Sequence, residues 1–137
     1  MVRNTGITLE CTRSIAASAA AGTINPVTIK TSPIQSGDTE IFVPQTENWI
    51  FTDCYVLAAA DYGTSQPMVN FIKNRAISMG TSTSLGALLV TSNTRPRFLP
   101  QPIGFEAGSI VTMETITTIA NDTSADSIKF YVAVSIQ

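Results

Sequence analysis

The sequence predicts an all-β chain folded as a two-sheet antiparallel sandwich, jelly-roll-like, with an extended N-terminal arm. Three observations predict it. Apolar and polar residues alternate with period two along much of the 137-residue chain, the pattern of strands that lay one face on a core. The alternating runs are rich in β-branched and aromatic residues, which suit a pleated, half-buried surface. Between them stand explicit turn signals: Ser36-Gly37-Asp38, Asp61-Tyr62-Gly63, Gly80 with its Ser/Thr run, Pro100-Gln101-Pro102, Ala107-Gly108 and Asn121-Asp122-Thr123-Ser124.

Taken in order, the first strand is expected over 7–13. The following Ser14-Ile15-Ala16-Ala17-Ser18-Ala19-Ala20-Ala21-Gly22 admits two readings. Its alanines are good helix formers, so it reads as a short helix or loop over one end of the sandwich. Its parity also continues the strand, because Ile7, Leu9, Cys11, Ile15, Ala17, Ala19 and Ala21 fall on one side, interrupted only by Arg13. On that reading residues 1–22 form an arm and 23–137 the sandwich. Such an arm pairs with the sheet edge of a neighbouring subunit, since an edge strand offers unpaired backbone donors and acceptors. The expected intersubunit residues are Ile7, Leu9, Cys11, Ile15, Ala17 and Ala19, and a chain lacking 2–22 is expected to fold without assembling.

Further strands are expected over 27–31, 39–43, 49–59, 68–73, 87–91 and 109–118. In the 49–59 run, Trp49, Phe51, Tyr55 and Leu57 form the expected core or interface face. The last strand is the cleanest: Ile128, Phe130, Val132, Val134 and Ile136 point one way, and Lys129, Tyr131, Ala133, Ser135 and Gln137 the other. About eight strands with frequent turns make a sandwich or barrel the expected architecture. The length suits one core.

Composition narrows the partners. Apolar residues are 44% of the chain, charged residues 13%, and the formal net charge is -2. So little self-repulsion makes contact between copies cheap, and a homo-oligomer or polymer is expected. Nucleic acid is not, because phosphate binding relies on clustered Lys and Arg, and the eight basic residues are scattered. No apolar run reaches the length of a signal peptide or membrane span, so no span is expected.

Catalytic chemistry finds little footing. The chain has no histidine, which removes the usual general base and the Ser and Cys triads. Phosphate-cradling and nucleophile-elbow motifs are missing too. Glu47 and Asp53 share a parity, but six residues along a strand is ~20 Å, beyond the spacing of paired glycosidase carboxylates. No enzyme activity, cofactor or metal is expected. Asp122 and Asp126 lack the ligand density of a calcium loop, and Cys11 and Cys54 are too few for a zinc framework. Those two cysteines form a disulfide if their strands are neighbours, although free buried thiols are the commoner state. Lys73-Asn74-Arg75 and Arg95-Pro96-Arg97 read as solvated strand ends, or as intersubunit partners of Glu40, Glu47 or Glu106, or as an anion site if their loops meet. Asn121-Asp122-Thr123 is a glycosylation sequon in a glycosylating compartment.

Three segments together resemble the single-jelly-roll structural proteins of viruses: Glu47-Asn48-Trp49-Ile50-Phe51-Thr52-Asp53-Cys54-Tyr55-Val56, Pro102-Ile103-Gly104-Phe105-Glu106-Ala107-Gly108-Ser109-Ile110-Val111, and the terminal strand 128–136. The resemblance implies a capsid, fibre or filament subunit, found in a virion or extracellularly, with an N-terminal arm joining neighbours. It carries over no site residues, and cellular jelly-roll and tumour-necrosis-factor-like domains share the pattern. The expected function is therefore a structural, self-assembling subunit. The alternative is a carbohydrate- or cell-surface-binding module, with Trp49, Tyr55, Tyr62 and Tyr131 as a sugar platform or with Tyr62 and the loops 61–67 and 93–100 as the contact. That reading brings host-surface or glycan contact.

Overall fold

The computed structural model of the chain describes residues 5–31, 37–57, 68–79, 83–84, 89–90 and 98–137. Its strands are β1 (Thr5–Ile15), β2 (Ile24–Pro26), β3 (Thr28–Lys30), β4 (Ile41–Phe42), β5 (Trp49–Leu57), β6 (Met68–Lys73), β7 (Ile77–Ser78), β8 (Thr83–Ser84), β9 (Leu89–Val90), β10 (Phe98–Phe105), β11 (Ile110–Ile116) and β12 (Asp126–Ile136). No helix occurs among the described residues. The first sheet runs β10-β5-β12-β1-β3 with β9 beside β5, and the second runs β2-β11-β6-β7 with β4 beside β11 and β8 beside β6. Apart from the parallel β5–β9 pair, the ladders are antiparallel. The chain is an all-β sandwich.

Residues 5–15 of the expected arm lie inside this sandwich. β1 pairs with β12 from Thr5↔Ile136 to Ile15↔Asp126 and with β3 on its other side. Leu9, Cys11 and Ile15 are fully buried, so residues 5–15 share one core with the other described strands. The strand also stops at Ile15. Ser18 takes a left-handed backbone, and the turn is pinned to a distant loop by Ser18 N–H to the Asp122 carbonyl at 2.6 Å and Gly22 N–H to the Thr117 carbonyl at 2.6 Å. Ala17 is exposed and Ala19 only partly buried. Neither the helix nor the strand continuation forms over 16–22, because these turn contacts satisfy its backbone instead.

The expected strand 27–31 forms as β3, paired with β1 in the first sheet, and is preceded by the unexpected β2, which belongs to the second sheet, paired with β11. Pro26, which has no N–H to donate, ends one ladder. Val27 then donates to the Met113 carbonyl at 3.0 Å and buries its side chain completely, so the chain crosses between sheets there and closes that side of the sandwich. β10 is an element that turn chemistry concealed. Pro100 and Pro102 fall in the interval where its pairing with β5 shifts register, between Phe98 and Ile103. The strand lies at the end of the sheet, where a missing donor is tolerated.

In β5 the register against β12 shifts between Ala133 and Val134. The extra residue reverses the parity midway: Trp49 and Phe51 face the core, and Cys54 is the next buried position. Inside, Phe51 meets Phe71 of the opposite sheet edge-on at 5.6 Å and 73° and lies 4.8 Å from Phe105. The Cys11 thiol reaches Met113 Sδ at 3.6 Å, a second link between the sheets.

Burying Leu9 and Ile15 contributes about 1.5–3 kcal/mol each, a large share of a net stability of about 5–15 kcal/mol. A chain lacking residues 2–22 is therefore expected to lose cooperative thermal unfolding by calorimetry, in contrast to the folded truncation that an external arm implies.

Candidate functional site

The charged groups singled out in the sequence are mostly neutralised within the chain. Lys73 Nζ lies 2.6 Å from Glu106. Arg75 donates through Nε and Nη2 to the two Glu40 oxygens at 2.7 and 2.8 Å. These hydrogen bonds and the paired charges hold the Glu40 and Glu106 carboxyls below their ordinary value. Asn74 and Arg75 both take positive φ in the β6–β7 hairpin, as its turn twist requires. Lys129, 3.5 Å from Glu10 and 5.9 Å from the Tyr131 ring centroid, is held above its ordinary value by the charge of Tyr131 and then that of Glu10.

The other candidates are not gathered into a site. Glu47 accepts from the Trp49 indole at 3.2 Å, and Trp49 itself is buried. Asp53 accepts from the Thr52 hydroxyl at 3.2 Å. Asp122 accepts from the Ser124 N–H at 3.0 Å, a local turn bond. The sequon asparagine is structural: Asn121 is buried and its amide donates to the Ala16 and Ser124 carbonyls, each at 3.1 Å. A glycan on that nitrogen is incompatible with these bonds. Tyr62, Arg95, Arg97, the loop 61–67 and residues 93–97 of the second loop lie outside the described residues. Cys11 and Cys54 are free thiols, on strands that flank β12 rather than each other.

What the fold does build is a pair of unlike outer surfaces. On the first sheet, the outward positions of β1 are Thr8, Glu10, Thr12 and Ser14, opposite Ala133, Tyr131, Lys129 and Ser127 of β12. This face is small and polar. On the second sheet, alternate residues of β11 are buried, namely Val111, Met113 and Thr115, so Ile110, Thr112, Glu114 and Ile116 face outward. Cross-strand pairing sets Phe42 beside Ile110, Ile72 beside Thr112, Met68 beside Ile116 and Ile24 on the far side of Ile116. Ile24 is 56% exposed and Phe42 62%. The carboxylate in this apolar row, Glu114, accepts from the Asn70 amide at 3.3 Å, and Ser78 donates to Asn70 at 2.8 Å. An open groove of about 610 Å³, lined by Thr31, Asp38, Thr39, Glu40, Ile41 and Phe42, flanks the row.

The inward parity of β11 makes this arrangement costly for an isolated chain. Thr115 and Thr117 are 0% and 1% exposed, and neither hydroxyl has a hydrogen-bond partner. Hydroxyls are buried while Ile110 and Ile116 of the same segment take the outward, half-buried parity. Sequence reasoning missed this face because both parities of Ile110-Val111-Thr112-Met113-Glu114-Thr115-Ile116 carry apolar residues. No protein-family model matches the chain, and a search of curated proteins finds no match.

Replacing Thr115 by valine, which keeps the shape and removes the unpaired hydroxyl, is expected to raise unfolding stability by about 1 kcal/mol in denaturant titrations. The thiols supply a pH signature. Burial pushes Cys54 up to about 12 and raises Cys11 well above an ordinary thiol, with the charges of Cys54 and Glu10 adding to the effect. Unfolded thiols ionise near pH ~8.5 while the folded ones stay protonated. Stability is thus fully present below about pH 8.5 and declines above it, by up to ~1.4 kcal/mol per pH unit for each thiol. Urea melts from pH 7 to 11, compared with a C11A/C54A double variant, check the difference.

Proposed function

We propose that this chain is a non-enzymatic structural subunit that associates with further copies of itself through the outer face of its second sheet. The observation that carries the reading is the inversion in β11: Ile110 and Ile116 face outward while Thr115 is buried without a partner. A chain that departs from the ordinary burial rule in this way gives up stability as a monomer, and such departures concentrate where a surface has a task. The row Phe42, Ile110, Ile72, Ile116, Met68 and Ile24 offers the apolar centre of an interface, and Glu114, Asn70 and Ser78 supply polar groups within it. The low net charge leaves little repulsion between copies, so a second copy is the occupant that composition favours.

Assemblies of the virion shell, fibre or extracellular filament kind are the setting in which such a subunit works, in keeping with the sequence resemblance to viral jelly-roll proteins. Arm-mediated linkage has one form consistent with Leu9, Cys11 and Ile15 in the core: exchange of the whole of β1 between copies, which preserves its ladder with β12 in trans. Nothing among the described residues speaks for the sugar-binding alternative. No helix among them is long and apolar enough to cross a membrane.

Sedimentation velocity on the full chain is expected to give a mass above the monomer that rises with concentration. A Phe42→Ser, Ile72→Thr double variant is expected to sediment as a monomer with its melting temperature retained, and Glu114→Gln to associate more tightly. A wild-type chain that stays monomeric up to its solubility limit overturns the reading.

A further inference from the structure

Arg13 is the residue that interrupts the apolar parity of β1, and the fold gives it an unusual setting. It lies between the core residues Cys11 and Ile15 on the strand, opposite Ile128. The partner β3 covers β1 only from Glu10 to Thr12, because the chain from β2 to β3 changes sheets at Val27. Beyond Thr12 the two strands diverge, and Arg13 spans the gap, its Nη2 donating to Asn25 Oδ1 of β2 at 3.2 Å.

Two things about this contact are incomplete. The acceptor is a neutral amide, and Arg13 takes part in none of the ion pairs among the described residues, which join Lys73 to Glu106, Arg75 to Glu40 and Lys129 to Glu10. Among the described residues, the cation of Arg13 is without a counter-charge at contact distance. Its Nε and the Asn25 Nδ2 are also buried donors with no acceptor. A half-buried guanidinium ordinarily finds a carboxylate or phosphate oxygen, since charge-assisted and bidentate hydrogen bonds are its strongest interactions.

An open cleft of about 460 Å³ adjoins it, lined by Thr12, Arg13, Ser14, Thr28 and Ser127. Four of these five residues carry hydroxyls, which donate without adding negative charge. The cleft sits in a field of mixed charge with cations in excess. Lys129 faces Thr12 across the ladder, and Glu10 faces Lys30 on the other side, two residues from the Thr12–Thr28 pair. Among the described side chains of β1, β3 and β12, Arg13, Lys30 and Lys129 thus stand against Glu10.

We propose that this cleft binds an oxyanion group, with Arg13 as the counter-charge and the hydroxyls of Thr12, Ser14, Thr28 and Ser127 as the surrounding donors. The space exceeds that of an inorganic ion, so the oxyanion belongs to a larger ligand such as a phosphorylated or sulfated small molecule. The proposal is independent of the association of copies through the second sheet, which lies on the other side of the sandwich.

The test is a titration of the full-length protein with inorganic phosphate, sulfate and acetate, each against chloride at matched ionic strength, followed by amide resonances and by melting temperature. The expected result is a saturable shift at the amides of Thr12, Ser14, Thr28 and Ser127, with a rise in melting temperature that chloride does not reproduce. The response to phosphate, sulfate and acetate ranks the chemistry of the anion. Asn25→Asp is the decisive variant, because it places a carboxylate on the atom that already accepts from Arg13. It is expected to melt higher than the wild type without added anion and to bind phosphate about tenfold or more weakly, as loss of a charge-assisted contact predicts. Arg13→Gln is expected to lose the response as well, and should it fail to fold, the aspartate variant still decides. Shifts that follow ionic strength whatever the anion, or an aspartate variant that binds phosphate as the wild type does, overturn the proposal.

Discussion

The antiparallel ladder between β1 and β12 is the constraint on which the rest of the structure depends. It joins Thr5 to Ile136 and Ile15 to Asp126, and it places β12 between β1 and β5 at the centre of the first sheet. Phe130, Val132 and Val134 of β12 are buried beside Leu9, Cys11 and Ile15 of β1. β3 pairs with β1 and β5 with β12, and β9 and β10 are added through β5. The pairing also has a large sequence separation, which makes loop closure costly and folding slow relative to proteins built from local contacts.

A two-layer sandwich leaves two outer faces to be specified, and here they diverge. The first sheet turns threonines, serines and a Glu10–Lys129 pair to solvent, a surface that is satisfied by water. The second turns Phe42 and several isoleucines outward and pays for it inside, where Thr115 and Thr117 lack partners. The same economy appears at the side of the sandwich where the chain passes from β2 to β3, and where Arg13 is left with an amide for company. Both departures leave buried polar atoms without a partner among the described residues.

Much of the strand content was legible from period-two alternation. β6 has the bounds expected from its pattern, and β11 and β12 fall within a few residues of theirs. Alternation fails where the backbone departs from a regular pleat. The bulge in β5 transfers the core position from Asp53 to Cys54, and no local signal marks where an extra residue enters. β10 hid behind Pro100 and Pro102 because proline means a turn in isolation and an edge strand only once the sheet is known. The apolar outer face of the second sheet was less legible still. Phe42 and Ile72 read as ordinary strand residues, and Asn121 read as part of a turn and a sequon, with no signal that its amide closes the turn at Ala16.

By itself the sequence determined that the chain is all-β, that its C-terminal strand turns Phe130, Val132 and Val134 to a core, and that its surface carries little charge, because each of these follows from residue order and side-chain chemistry alone. Tertiary structure decided which side of β11 is the inside. Its two faces are nearly equal in apolar content, so the choice falls to the ladder with β6, where Phe71 and Val69 face Met113 and Thr115 and a one-residue slip would exchange every side chain. Tertiary structure also decided that β1 is an interior strand, since an alternating segment pairs equally well with its own chain or another's until both of its edges are filled.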